Sequence, residues 1–281
     1  MTRRLSVRDI ITDAAKNRYA VAAMNANGAT YDIARAILEA ADEERSPIVI
    51  QAYDHNIAYR SYEYFVQLVD HLAESVRVPY AIGLDHGSSL AAVAGAVKAG
   101  FTGVMLDSSG MSLEANVAET RALLRYLRPI GVSLEAEVGE MARQEELSKG
   151  TQKTDPDDVT AFLRQAEVDL LAVSVGTSHG IHDRQDQVDL ALIRTIRAVT
   201  DAPLVMHGTS GVPLQLIAQA VAAGMRKINF GEAFRVDFIR YFNELSQTLE
   251  HQHHAWAVMQ AVKDKLKPNM RQIIRALNSS L

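Results

Sequence analysis

The chain has 281 residues, a net charge of -5 and no cysteine. Disulfides and thiolate metal sites are therefore excluded, and any metal must be held by His, Asp or Glu. The acidic balance argues against a nucleic-acid or anionic-membrane partner, and no run approaches the roughly 20 apolar residues of a membrane span. The first residues, "MTRRLSVRDIITDAAKNRYAV", lack the apolar segment and cleavage site of a signal peptide, so a soluble cytoplasmic protein is expected.

Short apolar, β-branched runs alternate with longer helix-patterned ones. The strand candidates are "YAVAAMN" (19–25), "PIVIQAY" (47–53), "PYAIGLD" (79–85), "TGVMLD" (102–107), "GVSLEAEV" (131–138), "DLLAVSV" (169–175), "PLVMHG" (203–208) and "RKINF" (226–230). Helical patterns such as "YDIARAILEAADEE", "SLEANVAETRALLRYLR" and "PLQLIAQAVAAG" lie between them. Eight such alternations predict an α/β protein whose parallel strands close into a (β/α)8 TIM barrel. Ser112 and Asp155 read as N-caps, and Pro213 fits a first helical turn. No linker divides residues 1–281, so a single domain is expected. The polar connection at 139–154 is long enough to suggest function. From about residue 232 the chain reads as two or three helices outside the barrel, with apolar faces at Trp256, Met259 and Val262 suited to a subunit contact.

Chemistry in such a barrel gathers at the C-terminal ends of the strands. The polar residues there are Asn25, Gln51, Asp85, His86, Asp107, Glu135, Glu137, His179, His207 and Asn229. A barrel without a site would fill several of these positions with small or apolar residues. Three of the histidines are each followed by glycine, at His86, His179 and His207, where backbone can approach a bound group closely. Three imidazoles with one open position make a catalytic zinc site that polarises a carbonyl. The remaining histidines fall in helical or loop contexts, and the "HQHH" cluster reads as a solvated helix face. Beside the first histidine, Asp85 is either a general acid–base for a substrate hydroxyl or a group that only orients an imidazole.

With these residues in view, the chain resembles the class II, zinc-dependent fructose-bisphosphate and tagatose-bisphosphate aldolases over residues 5 to 245. "LDHG" (84–87) is similar to the family's catalytic Asp and first zinc His, "GTSHG" (176–180) to its second ligand motif, and "HGTSG" (207–211) to the third ligand with its phosphate-binding turn. "AMNANG" (23–28), "VMLDSS" (104–109) and "LEAEVG" (134–139) resemble further family segments in the same order. The resemblance implies one zinc held by His86, His179 and His207, and leaves room for an assisting monovalent cation. It implies that Asp85 exchanges a proton with the substrate's C4 hydroxyl, that Glu145 moves the proton of the ketone-side carbon, and that Asn229 holds the enediolate. Asp107, Glu135 and Glu137 match acidic positions that support the site or offer an alternative metal position. Asn25, Gln51, Gly180, Gly208, Ser210 and Gly211 are the implied substrate contacts. A homodimer or homotetramer acting on a sugar or sugar phosphate is expected.

Four positions depart from the family pattern. Tyr53 stands for a serine near the substrate phosphate, His182-Asp183 for a Tyr-Lys, Glu232 for a phosphate-binding threonine, and Ala142-Arg143 for Gly-Gly. A carboxylate ~4 Å from a phosphate repels it by ~1 kcal/mol in water and several-fold more in a shielded pocket. The sharper expectation is therefore a ketose bearing no C1 phosphate, with Glu232 accepting a substrate hydroxyl and dihydroxyacetone released. Glu232 turned outward onto Arg235 would instead leave phosphate binding intact. Arg143 is either a contact to an anionic aldehyde half or a solvated loop charge. The sequence predicts a class II aldolase that cleaves a ketose or ketose phosphate into a dihydroxyacetone-type fragment and an aldehyde. A catalytically silent aldolase-like subunit is the alternative from another class. A barrel metallohydrolase is disfavoured because "AVAAMNANG" lacks the paired H-x-H ligands of such sites.

Overall fold

The computed structural model describes residues 4–57, 59–139, 153–178, 180, 188–250 and 253–280. Arg143, Glu145, His179, His182 and Asp183 lie outside them. In chain order the elements are α1 (Val7–Asn17), β1 (Val21–Asn25), α2 (Tyr31–Glu43), β2 (Ile48–Tyr53), α3 (Asp54–Ile57), α4 (Tyr62–Ala73), β3 (Tyr80–Asp85), α5 (Leu90–Ala99), β4 (Gly103–Met105) and α6 (Leu113–Leu127). They continue with β5 (Ser133–Val138), α7 (Pro156–Leu163), β6 (Leu170–Val173), α8 (Leu190–Val199), β7 (Leu204–Met206), α9 (Leu214–Ala223), β8 (Met225–Phe230), α10 (Glu232–Thr248) and α11 (Ala255–Ala276).

The eight strands pair in parallel, each with its sequence neighbour and β8 with β1, and close into a barrel. All eight expected strands are present, so the (β/α)8 expectation holds. Helix starts follow side-chain chemistry: Ser6, Ser61, Ser89, Ser112, Asp155 and Asp189 each accept a backbone N–H of the following first turn. Pro213 stands one residue ahead of the helix it was expected to open, at the N-cap of α9.

Side chains alternate in and out along each strand. The inward set divides the barrel into two halves. Near the strand starts, Val21, Ala23, Val49, Ala81, Leu170, Ala172 and Val205 form one buried cluster with Val7, Ile10, Ile11 and Ala14 of α1. Helix α1, whose amphipathic pattern does not say what it covers, closes this mouth of the barrel. A Cβ on Gly103 at the start of β4 would lie 2.4 Å from Val7 Cγ2, which shows how closely α1 seats there. The outward-facing residues, among them Met24, Ile48, Ile50 and Ile82, join the larger core beneath the helices.

Of the apolar residues expected to be open on the C-terminal helices, Trp256 is exposed and Val262 is not. Helix α11 packs along α2, and Lys263–Glu39, Lys267–Glu43 and Arg271–Glu44 ion pairs, each at 2.6 Å, tie the two. Val262 is fully buried in that packing, while Trp256 stays 71% exposed. A further open apolar stripe lies on α10, where Val236, Ile239 and Phe242 recur at every third residue. Among the described residues, no helix is long and apolar enough to cross a membrane.

Candidate active site

The polar strand ends converge at the mouth opposite α1. On a regular strand Asp85 and His86 would point to opposite faces. They do not, because His86 adopts a left-handed backbone conformation with φ 47°. That turn swings the imidazole back toward the barrel axis, and its Nε2 lies 4.0 Å from Asp85 Oδ1. A left-handed φ on a non-glycine residue stores strain and needs support from its surroundings. The support comes from Gly87, whose N–H donates to Met105 O at 2.9 Å and whose carbonyl accepts from Asp107 N–H at 3.2 Å. The Asp54 carboxylate accepts from Ser88 N–H at 2.9 Å and is itself held by Tyr62.

Two carboxylates orient two imidazoles. Asp107 Oδ2 lies 3.0 Å from His86 Nδ1, and Glu135 Oε1 lies 2.7 Å from His207 Nε2. With a proton on each of those nitrogens, the other pair, His86 Nε2 and His207 Nδ1, face one another at 2.9 Å. The rings meet nearly at right angles, with centroids 4.8 Å apart. Asp85 is held from two sides, by Asn229 Nδ2 at 3.0 Å and Asn25 Nδ2 at 3.3 Å. Lys227, buried in the barrel below, lies 2.8 Å from Glu135 Oε2 and donates to Asn229 Oδ1 at 2.7 Å. The Tyr53 ring stands edge-on to His86 at 6.0 Å.

The electrostatics are those of a space short of positive charge. Burial disfavours the charged form of His86, yet the Asp107 hydrogen bond and the charges of Asp85 and Glu137 outweigh it and raise the imidazole to about 9. Burial pushes Glu137 up to about 7, with Asp107 and Glu135 adding to the rise. Glu137 Oε2 and Gln51 Nε2 are buried without a hydrogen-bond partner among the described residues.

This donor set suits a divalent cation. Ligand atoms of Asp85, His86 and His207 lie within 4.8 Å of one another, as do those of His86, Asp107 and Glu137. Two imidazoles on one tetrahedral zinc, each at about 2.0–2.1 Å, stand roughly 3.3 Å apart, so the 2.9 Å found here is within a few tenths of an ångström. A metal ion would take the place of any proton between His86 Nε2 and His207 Nδ1, a competition that metal binding generally entails. Asp107 and Glu135 already supply the carboxylate–imidazole hydrogen bonds that orient metal-binding histidines.

The expected residues are placed as follows. Asn25, Asp85, His86, Asp107, Glu135, Glu137, His207 and Asn229 come together. The turn holding Gly208, Ser210 and Gly211 follows His207 directly, with φ 64° and 93° at its glycines, and Gly180 has φ 106°. Gln51 points inward but deeper, beside Gly83. Glu232 opens α10, and its carboxylate bonds Arg235 one turn on. His179, Glu145 and Arg143 are outside the described residues. Lys227, Thr177 and Thr209 were missed. The two threonines bond the carbonyls of His207 and Asn229 on the neighbouring strands. The available signal for Lys227 was its place two residues before Asn229, on the same face of β8.

Comparison with known proteins adds to this geometry. The family model described as fructose-bisphosphate aldolase class-II matches residues 5–280. A 6-phospho-5-dehydro-2-deoxy-D-gluconate aldolase of Bacillus subtilis is 32% identical over 95% of this chain and 94% of its own. A fructose-bisphosphate aldolase of Geobacillus stearothermophilus is 31% identical over 98% and 97%. Among solved structures, the YdjI aldolase of Escherichia coli K12 superposes with a TM-score of 0.86 over 99% of this chain and 98% of that one, at 24% identity, a likeness of fold.

Gly87 is the position where this geometry is most easily broken. A Cβ there would lie 2.5 Å from Met105 O and 3.0 Å from Leu84 Cδ2. Gly87→Ala should lower unfolding free energy by about 1–3 kcal/mol and weaken binding of added zinc, measured by urea denaturation and by competition with a chelator. Unchanged stability and metal binding would show that the turn does not hold His86.

Proposed function

The chain belongs to the class II fructose-bisphosphate aldolase family and is a carbon–carbon lyase; from that premise we propose that it reversibly cleaves a ketose phosphate by zinc-assisted retro-aldol chemistry. The products are dihydroxyacetone phosphate and an aldehyde. The observation that carries this reading is the convergence of His86 Nε2 and His207 Nδ1 beside the Asp85 carboxylate and the Asn229 amide. His86 and His207 would hold the zinc, with His179 as the third ligand. Bound there, zinc supplies Lewis-acid polarisation of the substrate ketone.

The chain's own groups do the rest. Asp85 accepts the proton of the C4 hydroxyl as the C3–C4 bond breaks and its electrons pass toward the ketone as an enediolate. One N–H of Asn229 Nδ2 is committed to Asp85, and the amide nitrogen also lies 3.4 Å from His207 Nδ1 and 3.3 Å from His207 Nε2; the second N–H would turn from the imidazole to the enediolate oxygen as its charge develops. Glu145 then returns a proton to the ketone-side carbon. Asp107 and Glu135 keep both imidazoles turned so that the same nitrogens face the pocket.

At the other end of the substrate, the Glu232–Arg235 pair matches the carboxylate's charge. The repulsion argument for an unphosphorylated ketose is weakened accordingly. The glycine-rich turn at 207–211 and the first N–H groups of α10 then serve a phosphate, which helix N-termini favour. The closed barrel supports reading residues 1–281 as one domain, and we place that domain in the cytoplasm as part of this proposal. The α10 stripe of Val236, Ile239 and Phe242 is the surface through which copies of this chain would pair as a dimer or tetramer, acting on a small sugar phosphate.

Purified protein should bind about one zinc per chain, and chelation should abolish cleavage until zinc is returned. His207→Ala should lose both metal and activity. Asp85→Ala should keep zinc and lose 10²–10⁴-fold in kcat, and Glu145→Ala should slow deuterium wash-in on the three-carbon product. Fully active metal-free protein would end the proposal.

A ketose 1-phosphate should be cleaved at least tenfold more efficiently than its unphosphorylated counterpart, on the order of 1.4 kcal/mol in binding, as read from kcat/KM. The opposite preference would return Glu232 to the substrate-contact role expected from the sequence.

For assembly, light scattering should find an oligomer in wild type, and Ile239→Lys should reduce it to smaller species. A wild-type monomer, or an oligomer indifferent to Ile239, removes α10 as the contact.

A further inference from the structure

Lys227 has no part in the steps above, yet it lies beneath all of them. It is 4% exposed and two residues before Asn229 on β8, so both side chains enter the barrel. Its ammonium reaches Glu135 Oε2 at 2.8 Å and Asn229 Oδ1 at 2.7 Å.

An ammonium has three donors and no acceptor. Whatever group faces it must therefore accept. The Asn229 amide can sit in two senses that differ only by exchange of its oxygen and nitrogen. With Lys227 below, the oxygen turns down to the ammonium and the NH2 group is directed up, to Asp85 Oδ1 at 3.0 Å. The reversed amide would set NH2 against the ammonium and oxygen against the Asp85 carboxylate, a mismatch at both ends. On the other branch, Glu135 is held by Lys227 through Oε2 and accepts from His207 Nε2 through Oε1 at 2.7 Å. That bond presents His207 Nδ1, not Nε2, to His86 Nε2 at 2.9 Å.

We propose that Lys227 is a positioning residue, which from the floor of the pocket sets the sense of the Asn229 amide and selects the nitrogen that His207 offers to a metal. Its contacts are to Glu135 and Asn229, so it acts through them. This inference rests on the reading of the site as a zinc aldolase.

The test uses Lys227→Met, which keeps most of the side chain's length without the charge, and Lys227→Met/Glu135→Gln, which also removes the buried carboxylate left behind. Zinc affinity is read by competition with a chelator, and kcat and KM are read at saturating zinc. Lys227→Met should bind zinc 10–100-fold more weakly, the usual consequence of disturbing a group behind a metal-binding histidine. Its kcat should fall 10–100-fold with KM changed less than threefold. In the double variant the amide oxygen introduced by Glu135→Gln can still accept from His207, so zinc affinity should return to within about threefold of wild type while kcat stays low. Asn229→Ala should then cost much less in the Lys227→Met background than in wild type, because coupled residues are not additive.

A Lys227→Met enzyme with zinc affinity and kcat both within twofold of wild type overturns the proposal. So does an Asn229→Ala effect of equal size in both backgrounds. Should Lys227→Met not fold, the double variant carries the kcat comparison and the Asn229 cycle. Absence of cleavage by the wild type would count against the aldolase reading, while the zinc-affinity comparison would still decide the role of Lys227.

Discussion

Asp85, Asp107, Glu135 and Glu137 crowd into one space at the mouth of the barrel, and their shared negative charge is the constraint to which the rest of the structure answers. Removing a carboxylate from water is costly unless it is paired or hydrogen-bonded. Among the described residues, Lys227 is the ammonium that reaches this group. The deficit is visible in the neighbours: His86 is drawn toward its charged form, and Glu137 is held toward its neutral one. A site with that imbalance favours a cation, and two imidazole nitrogens are already turned toward the same point.

Such a charged cluster needs a stiff foundation. The apolar half of the barrel supplies it, with small and β-branched inward residues packed on α1. Each strand therefore carries two kinds of residue on one face, apolar near its start and polar at its end. Along β3 the inward positions are Ala81, Gly83 and Asp85. The left-handed His86 sits on top of this layer, and its strain is tolerated because Gly87, Ser88 and Asp107 are each tied by backbone hydrogen bonds. Position and chemistry are thus set by different parts of the same strands.

Much of this was legible beforehand. The eight strands were readable because buried parallel strands are nearly continuous apolar runs bounded by polar turns. The residues at their ends stood out because charged and imidazole side chains have no reason to end an apolar run unless they are used. Lys227 escaped notice because a lysine within a strand reads as solvent-facing until the barrel closes around it. Helix α1 was not recognised as the barrel's floor, since its amphipathic pattern does not say what it covers. The apolar residues of α11 were read as a subunit surface, and Val262 proved to be covered by the chain's own packing.

By itself the sequence determined the order of strands and helices, the barrel, and which strand ends carry acids, imidazoles and amides, because these follow from periodicity and residue type. Tertiary structure alone decided direction. It turned His86 to the same side as Asp85, gave each imidazole a carboxylate on one nitrogen, and set the Asn229 amide between Lys227 and Asp85. The physical reason is that a side chain's orientation depends on partners brought from distant segments. His86 and His207 are 121 residues apart in the chain, and only closure of the barrel places their nitrogens 2.9 Å from one another.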